Sequence, residues 1–173
     1  MEFTKVLQCR RSTRAYRKEQ ITEEQLSAIL AAAQAAPIGM GRYDRMRLVA
    51  VQDGELLDDL NADFASAIDN ADAYPTYGAP TVIFVLEHKE DPDLLSGANA
   101  ACVVEHMALA ATDLGLGSVY LLGICRELQD RAHAAALLQI PSDYRMISAI
   151  AVGIPQEPLT PREPKTKMLV KRL

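Results

Sequence analysis

The sequence predicts a single domain in which helices and strands alternate. Three observations carry that expectation. "YGAPTVIFVLE", Tyr77 to Glu87, is a continuous apolar run opened by a glycine and a proline, and reads as a central strand. "ITEEQLSAILAAAQAAP", Ile21 to Pro37, repeats Leu26, Ile29, Leu30 and Ala33 at helical spacing. Residues 98–114 are apolar almost all the way round, so a helix there is buried in a core or against another subunit.

The elements follow in order. Residues 2–10 read as a short helix with Phe3, Val6 and Leu7 on one side. In the next helix Thr22 caps the first turn while Gln25 reaches back to it, Ile21 packs on Leu26, and Pro37 stops the run. "APIGMGRYD" is a loop and "MRLVAVQ" a strand. "ELLDDLNADFASAI" is a helix with Leu56 or Leu57, Leu60, Phe64 and Ile68 on one stripe. After the central strand and the apolar helix, "GLGSVYLLG" is a glycine-bounded strand, "RELQDRAHAAALLQI" a helix and "YRMISAIAVGIP" the last strand. Beyond Pro155 the composition turns to proline and charge, which makes an extended arm. Four strands alternating with helices suggest a parallel α/β sheet, although periodicity leaves strand direction open.

Composition narrows the class. A chain of 173 residues suits one domain with a full core, and 49% hydrophobic with 24% charged residues excludes a disordered chain. Eighteen Lys and Arg against 23 Asp and Glu leave a net charge of -5, opposite in sign to a general nucleic-acid binder. Cys9, Cys102 and Cys125 are scattered, as are three histidines, so neither a disulfide framework nor a zinc pattern is expected. The N-terminal "MEFTKVLQ" has no apolar core of signal-peptide length, and Glu105, His106 and Asp113 break the longest apolar tract. No membrane span is expected, and reduced thiols suit a cytoplasmic location.

Within this acidic chain "CRRSTRAYR", Cys9 to Arg17, gathers four arginines and two hydroxyls. Arg10, Ser12 and Arg14 are two apart, so on an extended segment they share a side. Paired guanidinium donors with a hydroxyl make an anion clamp. A solvated charged loop and a nucleic-acid patch are the competing readings. In "LGLGSVYLLG", Gly115 and Gly117 suit a helix-to-strand turn, whereas Gly123 lets a flat ligand approach the backbone. Arg162 stands in "PLTPREP" on the arm and matters only if the arm folds back to the first cluster. No nucleophile stands with a histidine, His106 and Cys102 read as structural, and no catalytic side-chain set emerges. Such an enzyme leaves the hard step to a cofactor.

In order and spacing, "RRSTRAY", "LAAAQAAP", "YGAP", "LAATDLGLGSVY" and "VGIP" with its following arm resemble the FMN-dependent nitroreductase family, over about residues 8–165. The resemblance implies an α+β fold: a nitroreductase-like three-layer arrangement with a largely antiparallel central sheet. It implies an FMN-binding domain over residues 1–155 and a C-terminal arm, 156–173, packing on the partner subunit of an obligate homodimer. It implies that Arg10 and Ser12 hold the FMN phosphate with Arg162 adding a donor, and that Arg11 falls within the motif. Arg14 would lie near the pyrimidine edge of the ring, where reduction places negative charge. Leu122 and Gly123 would offer backbone N–H to flavin N5. The implied activity is a ping-pong NAD(P)H oxidoreductase passing hydride through N5 to a nitroaromatic, quinone or similar small-molecule acceptor, with neither nucleic acid nor membrane as partner.

The chain departs from the family pattern in two places. "IGMGRYDRM" replaces an Asn-x-Gln-Pro-Trp type of loop that borders the pocket, and Thr160 stands where a lysine often precedes the arm's arginine, with Lys165 a substitute. The altered loop supports a second reading, a flavin-binding sensor, carrier or partner subunit without nitroreductase turnover.

Overall fold

The computed structural model describes residues 1–163 and 168–173. In chain order the elements are α1 (Phe3–Cys9), α2 (Glu23–Gln34), β1 (Met46–Val51), α3 (Gly54–Ala67), β2 (Thr81–His88), α4 (Asp93–Asp113), β3 (Gly117–Leu121), α5 (Gly123–Leu128), α6 (Ala132–Leu137) and β4 (Tyr144–Gly153). The strands form one sheet in the order β1-β2-β4-β3, with every neighbouring pair antiparallel. The parallel arrangement suggested by alternation is therefore corrected, and the antiparallel sheet implied by the family resemblance is found.

The topology explains why the pattern misled. Between β1 and β2 the chain passes through α3 and then residues 68–80. Between β3 and β4 it passes through α5 and α6. Each of these connections has two limbs that retrace one another, so the chain re-enters the sheet at the end it left. Only α4 is a true crossover. It joins β2 to β3, which run the same way, and β4 then inserts between them.

Strand alternation sorts the core into two layers. Val82, Phe84 and Leu86 of β2 pack with Leu57, Leu60, Ile124 and Leu128 from α3 and α5. Ile83 and Val85 pack with Ile29 of α2 and Val103, Val104 and Met107 of α4. Phe84, Ile83, Leu86 and Val85 are wholly buried, and each contributes about 1.5–3 kcal/mol by that burial. The result is helices, sheet, helices.

Most elements form as their residues require. Thr22 and Gln25 complete the reciprocal cap of α2, and the Asp53 carboxylate accepts from the backbone of Glu55 and Leu56 to start α3. Three expectations are corrected. Ile68 is exposed, because α3 ends at Ala67. The helix expected over "RELQDRAHAAALLQI" is two short helices with a break at residues 129–131, the first starting at Gly123. In α1, Val6 and Cys9 are buried while Phe3 and Leu7 face outward.

Helix α4 is long and apolar enough, by length and composition alone, to cross a membrane. One face of it lies in the core through Ala100, Val103, Val104, Met107 and Ala111. The opposite face exposes Gly97, Ala98, Ala101 and Glu105. The 38–45 loop is tied down by polar contacts: the Gly39 N–H donates to Asn99 Oδ1 (2.9 Å), and Arg42 and Arg45 both reach the buried Asp91 carboxylate (3.0 and 2.7 Å).

Candidate functional site

The arginine cluster lies along the free edge of the sheet. The Thr13 N–H donates to the Ser118 carbonyl (2.8 Å), Ser12 bridges Ser118 in parallel, and Tyr16 bridges Pro155 just past β4. Two glycines facing each other across β3 and β4 make this possible. Gly117 pairs with Gly153. A Cβ on Gly117 would lie 2.7–2.9 Å from the Thr13 side chain, and one on Gly153 would lie 2.7 Å from Pro80 and 3.0 Å from Tyr16. The turn reading suits Gly115, with φ of 77°, but Gly117 is there so that the cluster can approach the strand.

The Tyr16 hydroxyl donates to the Thr13 carbonyl (2.6 Å) and tightens the intervening turn. Burial pushes that hydroxyl far above the ordinary tyrosine range, with nearby Arg14 opposing the shift, so it stays protonated. With 13 and 16 fixed inward, Ser12 and Arg14 are left exposed. The Arg14 guanidinium lies 5.6 Å from the centre of the Tyr77 ring. Arg10 faces Glu105 of α4 at 3.4 Å, a contact both side chains make while well exposed.

The arm folds back on the same region of its own chain. The Arg162 backbone N–H donates to Gln8, and its guanidinium donates to the Arg10 carbonyl (2.7 Å). Arg11 turns away from Ser12 and Arg14: its guanidinium donates to the carbonyls of Cys9 (3.2 Å) and Thr160. Arg11 thus occupies the neighbourhood of Thr160, while Lys165 lies outside the described residues.

Leu122 and Gly123 sit one strand length away, about 13 Å from Ser118 at the rise of an extended chain. They line a cavity of about 280 Å³ with Phe64, Tyr74, Tyr77 and Tyr120. Leu122 is 56% exposed, and a Cβ built on Gly123 meets nothing within 4 Å. Gly123 is not needed for packing in this chain. The space above its backbone is open, and that suits a flat ring lying on it. Tyr77 belongs to this cavity and carries Arg14, so one aromatic residue joins the cluster to the Leu122–Gly123 end. "YGAP" is a landmark of the family resemblance, yet the sequence alone gives Tyr77 no task. The signal available was its place before a glycine in a turn, where it adopts φ of 57°.

Ser12 and Thr13 thus lie beside β3, whose far end leads to Leu122 and Gly123, and Arg162 is brought to Arg10 next to them. The 38–46 loop is not gathered with them. Ile38, Tyr43 and Met46 border a larger groove, about 560 Å³, on the α2 and β1 side, and no cluster residue lines it. Among the described residues no group of His, Cys, Asp and Glu is placed to hold a metal ion. Cys125 is wholly buried, and burial pushes its thiol far up, which makes it an unreactive core residue.

The chain is a three-layer α+β domain with a basic cluster on one sheet edge and an open backbone at the end of the same strand. A sequence model of the nitroreductase family matches residues 7–154, and the chain belongs to that family. A protein of Archaeoglobus fulgidus, provisionally named NADH dehydrogenase/NAD(P)H nitroreductase, is 30% identical over 158 residues, 90% of this chain and 87% of that one. A Bacteroides fragilis nitroreductase solved with bound FMN superposes with a TM-score of 0.86 at 27% identity, covering all of both chains. An FMN-dependent nitroreductase of Clostridium difficile superposes at 0.79 with 27% identity, covering 99% of each.

Proposed function

We propose that the protein is an FMN-dependent NAD(P)H oxidoreductase that works as a homodimer. The observation that carries this reading is the alignment of three features along β3: the Ser12–Arg14 edge beside Ser118, the Tyr77 bridge, and the open backbone at Gly123. Bound FMN is named for the Bacteroides fragilis relative and FMN dependence for that of Clostridium difficile, which supports the same cofactor here.

The residues fit the group. Arg10 and Ser12 would hold its phosphate, with Arg162 bracing the Arg10 backbone and offering a further donor. Arg11, turned to the arm, would hold the arm against the cluster. Arg14, fixed over Tyr77, would set positive charge beside the ring and favour its reduced form. The backbone at Leu122 and Gly123 would orient the ring, while Phe64, Tyr74 and Tyr120 would exclude water from one side. Bound FMN supplies hydride acceptance and donation between a nicotinamide nucleotide and an electron acceptor such as a nitroaromatic or quinone. Donor and acceptor would use the same open face in turn, which gives ping-pong kinetics.

Dimer formation would cover Ala98 and Ala101 on the outer face of α4 and the apolar Met168, Leu169, Val170 and Leu173 at the arm's end, all exposed in the single chain. The test is anaerobic mixing of the purified, flavin-loaded protein with NADH or NADPH. Prompt bleaching of the yellow chromophore supports the reductase. No bleaching with either nucleotide contradicts it and favours a flavin-binding protein without turnover.

A further inference from the structure

Past Leu121 the chain turns into α5, but β4 continues. The ladder between the two strands stops at Leu121 and Ala149, so β4 residues 144–148 have no β3 partner. The space left there is a second cavity of about 280 Å³, and Leu122 lines both it and the Tyr77 cavity. The two are neighbours across one side chain. The flavin reading would put the reactive ring at that side chain, so this notch is the next stop along the same edge.

Its lining is cation-rich in a chain of net charge -5. Arg126, Arg145, Gln129 and Ser96 face one acid, Asp93. Arg145 donates to the Asp93 carboxylate (2.6 Å), the Asp91 carbonyl (2.8 Å) and the Ser96 hydroxyl (3.3 Å), while its buried Nε–H has no partner among the described residues. Among the described residues the Arg126 side chain pairs with its sequence neighbour Glu127 alone (2.7 Å) and is largely exposed, so it can swing. Helix α4, 21 residues long, starts here with no side-chain cap on its N-terminal N–H groups, and its first turn supplies Asp93 and Ser96. An uncapped helix start adds positive potential to that of the two guanidiniums.

We propose that this notch is the subsite for the carboxylate of the electron acceptor, and that the acceptors used best are small aromatic acids. The proposal rests on the flavin reading for its position beside the reacting ring, but the anion subsite stands on its own residues. At about 280 Å³ the notch is of a size with a single-ring acid or its charged end.

Two variants of opposite sign test it, both at exposed side chains. Arg145 also ties α4 to β4, so its removal would confound folding with binding. The readout is the ratio of kcat/KM for 4-nitrobenzoate to that for neutral 4-nitrobenzyl alcohol, at saturating nucleotide and low ionic strength. Arg126→Gln should lower the ratio about fivefold, in the range of a partly exposed charge contact. Asp93→Asn should raise it, an effect that misfolding would not produce. A ratio unmoved in both variants overturns the proposal. So does an Arg126→Gln protein whose only defect is a raised KM for NADH or NADPH, because the anion recognised would then be the nucleotide's phosphate.

Calorimetric titration with benzoate, on the protein as purified, separates this proposal from the flavin reading. Benzoate binding that weakens in Arg126→Gln and strengthens in Asp93→Asn supports the subsite even if the protein proves colourless. Absence of benzoate binding to the wild-type protein overturns the subsite even if the protein is yellow.

Discussion

Gly123→Ala separates a glycine kept for the ligand from one kept for the fold. Gly123 begins α5 with φ outside the left-handed region, and an added Cβ meets no atom within 4 Å. Alanine is the better helix former by up to about 1 kcal/mol, so the flavin-free protein should hold or gain stability. For a chain of this length that is a Tm unchanged or raised by roughly 2–4 °C. Flavin should suffer. A methyl group would lift the ring from the backbone, removing one N–H contact of about 1 kcal/mol and a comparable amount of dispersion. Together these cost about 2 kcal/mol, roughly thirtyfold in Kd. The assay pairs a thermal melt of the flavin-free protein, at matched protein concentration, with a fluorescence titration of FMN. Wild-type FMN affinity in Gly123→Ala would refute the placement of the ring. A flavin-free Tm lowered by more than about 4 °C would show that the space is not open.

Gly117→Ala should behave in the opposite way, because its Cβ would strike Thr13 at 2.7–2.9 Å. A loss of about 1–3 kcal/mol is expected in denaturant unfolding, and an unchanged midpoint would contradict the close-approach argument. Glu105→Gln removes the acid that faces Arg10 at 3.4 Å. FMN titration at low salt should show binding tightened by a few-fold, fading at high salt, whereas weaker binding would mean that Glu105 orients Arg10 productively. The raised pKa of Tyr16 favours its protonated form in the fold, so that contribution is complete below the ordinary tyrosine value of 10.0 and is lost as pH climbs beyond it. Urea midpoints measured from pH 8 to pH 11 should fall more steeply for the wild type than for Tyr16→Phe, and parallel curves would count against the buried hydroxyl.

The elements with strong local signals were legible in the sequence. The reciprocal cap at Thr22 and Gln25 depends on residues three apart, and the apolar run of β2 depends on burial from both sides. Strand direction was not legible, since α3 and residues 68–80 together undo the crossover that a helix alone would make. The break between α5 and α6 was hidden because "RELQD" has helical composition throughout. In the candidate site, Arg10, Ser12 and Arg14 stand out in the sequence by their spacing of two, and the fold does bring Arg162 back to the Arg10 carbonyl. Tyr77 could not be read, because its part depends on a turn carrying it to Arg14 from 63 positions away. Gly117 was assigned to a turn when its neighbour in space, Thr13, was the cause. The cavity at Arg126 and Arg145 brings together residues from α4, α5 and β4, which no local pattern links.

The central claim is that the Arg10 guanidinium and the Ser12 hydroxyl hold a phosphate attached to a flavin. Parallel titration of the flavin-free protein with FMN and with riboflavin tests it most directly, since the two ligands differ only in that phosphate. FMN should bind at least a hundredfold more tightly, as about two charge-assisted contacts would give, with the preference collapsing in Arg10→Ala/Ser12→Ala. Equal affinity for the two ligands, or a preference that survives the double substitution, would contradict it.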